Sequence, residues 1–475
     1  MPKAGFISLG CPKNLVDSEV MMGVLARNGY EFTPHAEEAD VLVVNTCSFI
    51  APAQKESIDA ILEMAEYKKT GMAKKLIVAG CLVERYRDQI REQIPEVDAV
   101  VGTGEIENIL AAVEGELRAD AALPSYLYHD LTPRILSTPK HAAYIKIAEG
   151  CDHPCSFCII PQLRGKFRSR RFESVVREAE NLAAAGVREV TLIGQDTTSY
   201  GEDLGLRDGL ALLLERLAGV EGLQWVRSLY CYPNRVTQRL LDTIGAHPRI
   251  AKYMDMPLQH ASRNVLARMK RGSSGDAFLQ LLGRIRAAIP GVALRTSFIV
   301  GFPGETEADF RELRDFVKAA EFDWMGVFGY SDVDNAASFA LDGKVDEETI
   351  KDWQNQLMEL QQKISARKLR RFRGRRVTAL VEGPSKDTPL VWEARLEGMA
   401  PDIDGKLYLN DIEVEGSSIA ARPGDVVTAE ISETHEYDLV GRVVEILDVA
   451  PPRAVQAAAT ASVQRVSTGA ALRIL

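Results

Sequence analysis

Long apolar runs are absent from the 475 residues: no stretch approaches the length of a membrane span, so the chain is expected to stay out of the bilayer. An excess of positive charge is absent as well. Lys and Arg number 57 against 67 Asp and Glu, a net charge of −10 that argues against broad attraction to nucleic-acid phosphates and leaves room for a basic protein partner. Cysteine is scarce, with seven residues, an odd number, and Met1-Pro2-Lys3 does not open a secretory leader. A disulfide framework is therefore not expected, and the thiols read as metal or redox groups in a reducing cytoplasm. Length imposes no limit, since a chain of this size holds roughly two to four domains with cores of their own.

What the chain does have is Cys151-Asp152-His153-Pro154-Cys155-Ser156-Phe157-Cys158, three thiols within eight residues. Thiols this close cannot form a sensible set of disulfides, but they can converge on a metal centre. Three of them would hold a 4Fe-4S cluster by three corners and leave one iron open to a small molecule, and an open position signals chemistry. The competing reading, a zinc knuckle completed by His153, lacks the paired C-x2-C spacing of structural zinc sites. The motif, with Phe157 before its last cysteine, resembles that of the radical S-adenosylmethionine (SAM) superfamily. The resemblance implies that the open iron binds SAM and that the reduced cluster breaks it to a 5'-deoxyadenosyl radical.

Upstream, Ala4–Gly10, Asp40–Thr46 and Lys75–Gly80 have the length and composition of buried strands, and each ends at a cysteine: Cys11, Cys47 and Cys81. Helical patterns lie between them. One carries Ile58, Ile61, Leu62 and Ala65 and closes at Gly71; another, ahead of Gly29, has Asp17 or Ser18 as its expected cap. Alternation of this kind predicts a parallel α/β sheet whose strands end at one edge, where ligands bind. Three cysteines about 35 residues apart are thereby expected to meet as ligands of a second cluster. The competing reading is three unrelated buried thiols.

Together the two cysteine sets resemble the methylthiotransferases, and the likeness covers nearly the whole chain. Ser8-Leu9-Gly10-Cys11-Pro12-Lys13-Asn14 is similar to the RimO branch, which modifies an aspartate of small-subunit ribosomal protein S-twelve; the transfer-RNA branch more often has Gly-Cys-Gln-Met-Asn there. Ile160-Pro161-Gln162-Leu163-Arg164-Gly165 points the same way. The resemblance implies two 4Fe-4S clusters, on Cys151, Cys155 and Cys158 and on Cys11, Cys47 and Cys81. It further implies two SAM consumed per product, a β-methylthio-aspartate, an electron donor such as flavodoxin, and a cytoplasmic enzyme. The alternative within the family is methylthiolation of an adenosine in transfer RNA; outside it, a non-catalytic iron-sulfur carrier. No motif indicates an oligomeric state.

The expected organisation is an N-terminal domain over 1–115, a proline-marked linker over 116–140, a partial TIM-like (β/α)6 barrel over 141–345, a connecting helix over 346–376, a small antiparallel β-barrel over 377–448 and a disordered tail over 449–475. Barrel strands are expected near Tyr144–Ala148, Glu189–Ile193, Trp225–Tyr230, Tyr253–Pro257, Leu294–Val300 and Met325–Tyr330, and active groups at their carboxyl ends. Gln195 and Asp196 match a family position lining the SAM pocket. Phe157 belongs to the cofactor loop, and Arg164 is placed to hold a carboxylate of SAM or of the target. The glycine turn Gly301–Glu305 offers amides to SAM or is an ordinary loop; His260 is an acid–base group or, more commonly, a satisfied structural one; Cys231 is a core thiol. The last barrel resembles a TRAM domain. Its 5 Lys or Arg against 16 Asp or Glu oppose RNA binding and suit a basic ribosomal protein, unless the acids serve solubility alone.

Overall fold

The computed structural model describes residues 1–116, 124–386, 388, 390–414 and 418–450, together with the backbone of two short strands near the C-terminus. The first domain runs β1 (Lys3–Ser8), α1 (Pro12–Arg27), β2 (Glu31–Phe32), β3 (Val41–Thr46), α2 (Ala51–Thr70), β4 (Lys75–Gly80), α3 (Cys81–Gln93), β5 (Ala99–Val101) and α4 (Ile109–Glu114). All five strands are parallel, in the order β2-β1-β3-β4-β5. That order reverses between β1 and β3, so the loops carrying Cys11 and Cys47 open a crevice at the carboxyl edge.

Two sequence expectations fail here. Helix α1 begins at Pro12 with Cys11 as its cap residue, so Asp17 and Ser18 lie inside the helix and are buried. Pro12 starts the helix because its fixed φ suits the first turn and its missing N–H has no partner to lose there. In α2 the buried face is Ser57, Ala60, Ile61, Met64 and Ala65. Ile58 and Leu62 are exposed.

The second unit runs β6 (Ala142–Lys146), β7 (Ala148–Glu149), α5 (Ile160–Arg164), β8 (Arg168–Ser169), α6 (Phe172–Ala184), β9 (Glu189–Ile193), α7 (Gly209–Ala218), β10 (Trp225–Ser228), α8 (Gln238–Ala246), β11 (Tyr253–Asp255), α9 (Arg263–Arg268), α10 (Gly275–Ala288), β12 (Ala293–Val300), α11 (Glu307–Ala320) and β13 (Trp324–Gly329). β6, β9 and β10 form one parallel set and β11, β12 and β13 another. A parallel bridge from Val226 to Ile250 joins the two sets into an open six-stranded arc. Outward residues such as Ile145, Leu192, Val226, Leu294 and Phe298 meet the helices in one core. β7 and β8 pair antiparallel and clasp the cysteine loop at its base.

Helix α12 (Glu347–Leu369) leads to β14 (Arg376–Pro384), β15 (Trp392–Leu396), β16 (Leu407–Asp411), β17 (Val426–Thr434) and β18 (Leu439–Asp448). These close into a barrel in the order β14-β15-β16-β18-β17. The expected antiparallel pattern holds at every seam but one, since β16 and β18 run parallel. The expected tail lies mostly outside the described residues; β19 (Ser467–Thr468) and β20 (Ala471–Leu472) pair antiparallel.

The small barrel closes the floor of the arc, where the strands begin. Trp324 Nε1 donates to the Gly398 carbonyl at 2.7 Å, and Arg395 reaches Glu189 at 2.7 Å beside Arg227 at 2.8 Å. Three of the small barrel's acids are spent here. Glu382 pairs with Arg395 and His141, Asp448 with Arg188, and Asp404 faces Arg295 at 3.4 Å while accepting from Tyr253 Oη at 2.6 Å. A cavity of about 410 Å3 lies at the same floor, lined by Trp225, Trp324, Lys368 and Phe372, away from every cluster cysteine.

Burial pushes the Asp404 carboxyl up to about 6 from its ordinary 3.8, against the pull of Arg295. Because the folded value lies above the unfolded one, this group's contribution is complete below about pH 4 and is lost as pH rises through 6. The difference in urea-unfolding free energy between wild type and Asp404→Asn is therefore expected to shift by about 2 to 3 kcal/mol from pH 4 to pH 7, the wild type losing ground.

Candidate active site

All six motif cysteines lie at the carboxyl edges of the two parallel sheets. Two glycines make the turns from strand to ligand loop. Gly10 has φ of +87°, and a Cβ on it would stand 2.7 Å from Cys47 Cβ and 2.9 Å from its Sγ, so Cys11 and Cys47 are brought side by side. Gly150, with φ of +77°, lets Cys151 turn under the Gly165 and Lys166 carbonyls, 2.5 and 2.1 Å from where a Cβ would be. The loop is then pinned from below. Ser156 donates its amide to the Met269 carbonyl and its hydroxyl to the Arg268 carbonyl, while its own carbonyl accepts from Ser338.

Within each set the thiols feel one another. Burial, then Cys81 and Cys11, push Cys47 up to about 12; burial pushes Cys81 up to about 11 against Arg164. Burial likewise raises Cys151 to about 11 and Cys158 to about 12, with Cys155 contributing to both. Cys11 moves the other way. Burial opposes its ionisation, but Lys13, Arg164 and the Asn14 and Lys13 amides outweigh it.

Among the described residues no three His, Cys, Asp or Glu side chains could hold a single metal ion. Thiolates of a 4Fe-4S cluster bind separate irons, and two desolvated sets of three thiols suit that donor pattern. The zinc-knuckle arrangement is not formed by His153. Its Nε2 meets Asp196 at 2.7 Å and its ring stacks on Tyr232 at 3.7 Å.

Between the two cysteine sets lies a buried charge cluster. Lys146, the last residue of β6, pairs with Asp17 of α1 and with Glu149. Arg164, six residues past Cys158, meets Asp17 at 2.8 Å, Glu149 at 3.2 Å, the Asn14 side-chain oxygen, and Cys81 Sγ at 3.6 Å. Burial opposes the charge of Glu149, but Arg164 and then Lys146 hold its carboxyl well below the usual range. Asn14 in turn donates to the Leu9 and Thr46 carbonyls at 3.0 and 2.7 Å, tying the ends of β1 and β3. On the opposite side Arg271 lies 3.6 Å from Cys155 Sγ.

Gln195 donates to Glu149 at 2.8 Å, and its side-chain oxygen is buried without a partner among the described residues. Asp196 is fully used by His153, Thr198 and Ser199; burial opposes its ionisation, but those groups hold its carboxyl below the usual range. Phe157 packs against Val265, Met269 and Phe302. Arg164, read from sequence as a group for a ligand's carboxylate, holds two carboxylates of its own chain. In the basic segment Arg164, Lys166, Arg168, Arg170 and Arg171, Lys166 and Arg171 face solvent, while Arg170, like Arg164, is buried and pairs with Glu178. The glycine turn keeps its amides: Gly301 and Phe302 donate to Glu305 at 2.7 and 3.0 Å, and Glu305 also meets buried His260 at 3.0 Å. His260 is thus a satisfied structural group, and Cys231 is a buried thiol beside Thr197. Sequence reasoning missed Asn14, Asp17, Lys146 and Glu149. Only Asp17 had drawn notice, as a helix cap.

Three family descriptions cover this architecture in chain order: Uncharacterized protein family UPF0004 over residues 3–102, the Radical SAM superfamily over 145–317, and the TRAM domain over 374–444. A solved structure of the radical SAM methyltransferase TsrM from Kitasatospora setae shares the fold, with a TM-score of 0.51 at 16% identity over 69% of this chain and 73% of that one. The class is therefore that of radical SAM proteins carrying a three-cysteine domain in front and a TRAM barrel behind. The ribosomal protein uS12 methylthiotransferase RimO of Solibacter usitatus is 63% identical over 94% of this chain and 96% of its own length. Those of Koribacter versatilis and Myxococcus xanthus are 58% and 46% identical, over 93% and 94% of this chain and 96% and 92% of theirs. The chain belongs to the RimO family of methylthiotransferases.

Proposed function

We infer that this chain is a radical SAM methylthiotransferase that adds a methylthio group to the β-carbon of an aspartate in small-subunit ribosomal protein uS12. One observation carries the reading: the helix that follows Cys158 ends in Arg164, whose guanidinium touches Cys81 and Asn14 of the other domain. A side chain from the segment after one cysteine set thereby reaches a cysteine of the other set, on a separate sheet. An unactivated C–H bond has no acidic proton for a side chain to remove, and two 4Fe-4S clusters with SAM supply the radical chemistry and the sulfur when bound.

The protein's own part is placement and exclusion of water. We assign Cys151, Cys155 and Cys158 to the SAM-cleaving cluster and Cys11, Cys47 and Cys81 to the auxiliary one. The unpartnered oxygen of Gln195 suits the ammonium of SAM. Asp196 positions the same loop through His153, and Phe157 backs the cysteine loop. Arg164 acts as a clamp between domains rather than as a ligand group.

The TRAM barrel leaves Asp402, Asp411, Glu413, Glu433, Glu436 and Glu445 exposed. That surface suits a basic ribosomal protein and repels RNA. A reductant such as flavodoxin and a cytoplasmic location fit a ribosomal substrate, and among the described residues no helix is long and apolar enough to cross a membrane.

The test is anaerobic, cluster-reconstituted protein with dithionite and SAM, offered uS12 and transfer RNA side by side. Mass gain on uS12 alone, with release of 5'-deoxyadenosine, is expected. Gain on transfer RNA would move the chain to the other branch, and no 5'-deoxyadenosine at all would leave an iron-sulfur carrier.

A further inference from the structure

Four cations lie at or near the two cysteine sets, and three are committed. Lys146 is held by Asp17 and Glu149. Arg164 is held by the same two carboxylates and Asn14. Arg271 donates to the Pro257 carbonyl at 2.6 Å and faces Cys155.

Lys13 is different. It lies in the first turn of α1 and is only 7% exposed, yet among the described residues its ammonium makes no hydrogen bond and no ion pair. What fixes it is the ring of Tyr230, whose centroid is 3.2 Å from Nζ. Tyr230 stands just past the carboxyl end of β10 with φ of +62°, a left-handed conformation that is strained for a non-glycine residue. Its amide is held at 2.9 Å by Asp255, and Asp255 is neutralised by Arg295 at 2.9 Å. Strained backbone and a buried ion pair are thus both spent on holding an aromatic face under one ammonium.

Burying a cation is costly, and a ring face returns only part of that cost. Among the described residues no carboxylate meets this ammonium; the acidic group beside it is the Cys11 thiol, which leaves its hydrogen-bond donors for an oxygen ligand from outside. It lies two residues from Cys11 and against Tyr230 just past β10, where the two cysteine-bearing units meet. The cluster of Lys146, Arg164, Asp17 and Glu149 is closed on itself and offers no free cation for that purpose.

We propose that Lys13 binds the side-chain carboxylate of the target aspartate; this rests on the function inferred above. The carboxylate carbon of aspartate is bonded directly to the β-carbon, so an ammonium that holds the one places the C–H bond of the other. Lys13 is in this sense a specificity residue, which an amide side chain or a purine ring would not satisfy. The carboxylate of SAM shares the chemistry, and binding measurements separate the two sources.

The experiment uses the cluster-reconstituted holoenzyme and a peptide spanning the uS12 target loop, with Asp or Asn at the modified position. Dissociation constants are measured for wild type, Lys13→Met and Lys13→Arg, alongside those for SAM and the iron content of each. Wild type is expected to prefer the Asp peptide by about tenfold, Lys13→Met to bind both peptides equally, and Lys13→Arg to keep part of the preference, with SAM affinity unchanged throughout. A Lys13→Met protein that keeps the full preference overturns the proposal, whether or not it has lost iron. So does one whose SAM affinity falls while the peptide preference stays, which would make the carboxylate that of SAM. A wild-type enzyme that binds neither peptide would sink the functional inference itself.

Discussion

Cys11→Ala is expected to hold about four irons per chain where the wild type holds about eight, to go on cleaving SAM to 5'-deoxyadenosine under dithionite, and to make no methylthiolated product. Two observations separate the fates of the two clusters. Cys11, Cys47 and Cys81 interact with one another and lie on one sheet, while Cys151, Cys155 and Cys158 sit in a loop pinned by Arg268, Met269 and Ser338 of the barrel. Losing a ligand from the first set leaves the supports of the second untouched. Anaerobic iron and sulfide analysis with product chromatography checks it. Full iron content in the variant, or undiminished methylthiolation, would remove Cys11 from the ligand set.

Replacing Arg164 by methionine is expected to cost about 3 to 5 kcal/mol of stability, because among the described residues it leaves Asp17 and Glu149 buried with Lys146 as their one cation. Denaturant midpoints of the metal-free proteins measure that loss. The same change removes the N–H groups facing Cys81 and Asn14, so the auxiliary cluster is expected to assemble poorly even where the variant folds. Arg164→Lys restores a charge but not the fork that spans two carboxylates and a sulfur, and is expected to recover only part of the stability. A methionine variant as stable as wild type would show that the cluster of charges contributes nothing to joining the domains.

The elements most legible in the sequence were those with a local signature. Each apolar run ending at a cysteine became a strand ending at the carboxyl edge, and Glu189–Ile193 and Lys75–Gly80 were readable to the residue. Length explains the strands that were not read. Glu31–Phe32, Ala148–Glu149 and Arg168–Ser169 have two residues each and exist only because a neighbour pairs with them. Asp17 and Ser18 looked like caps because a short polar pair near a helix start usually is one. Here they face inward, Ser18 to Ser8 and Asn45 and Asp17 to Lys146 and Arg164, partners that no local window contains.

The two cysteine motifs, the alternation that puts them at sheet edges, and the family likeness were determined by the linear chain, because spacing and hydrophobic period are local properties that survive without coordinates. What only the tertiary structure decided is which charges belong to one another. Asp17 and Arg164 are 147 residues apart along the chain. They interact strongly because burial strips away the water that would screen them, and the same burial leaves Lys13, beside Cys11, without a carboxylate partner among the described residues.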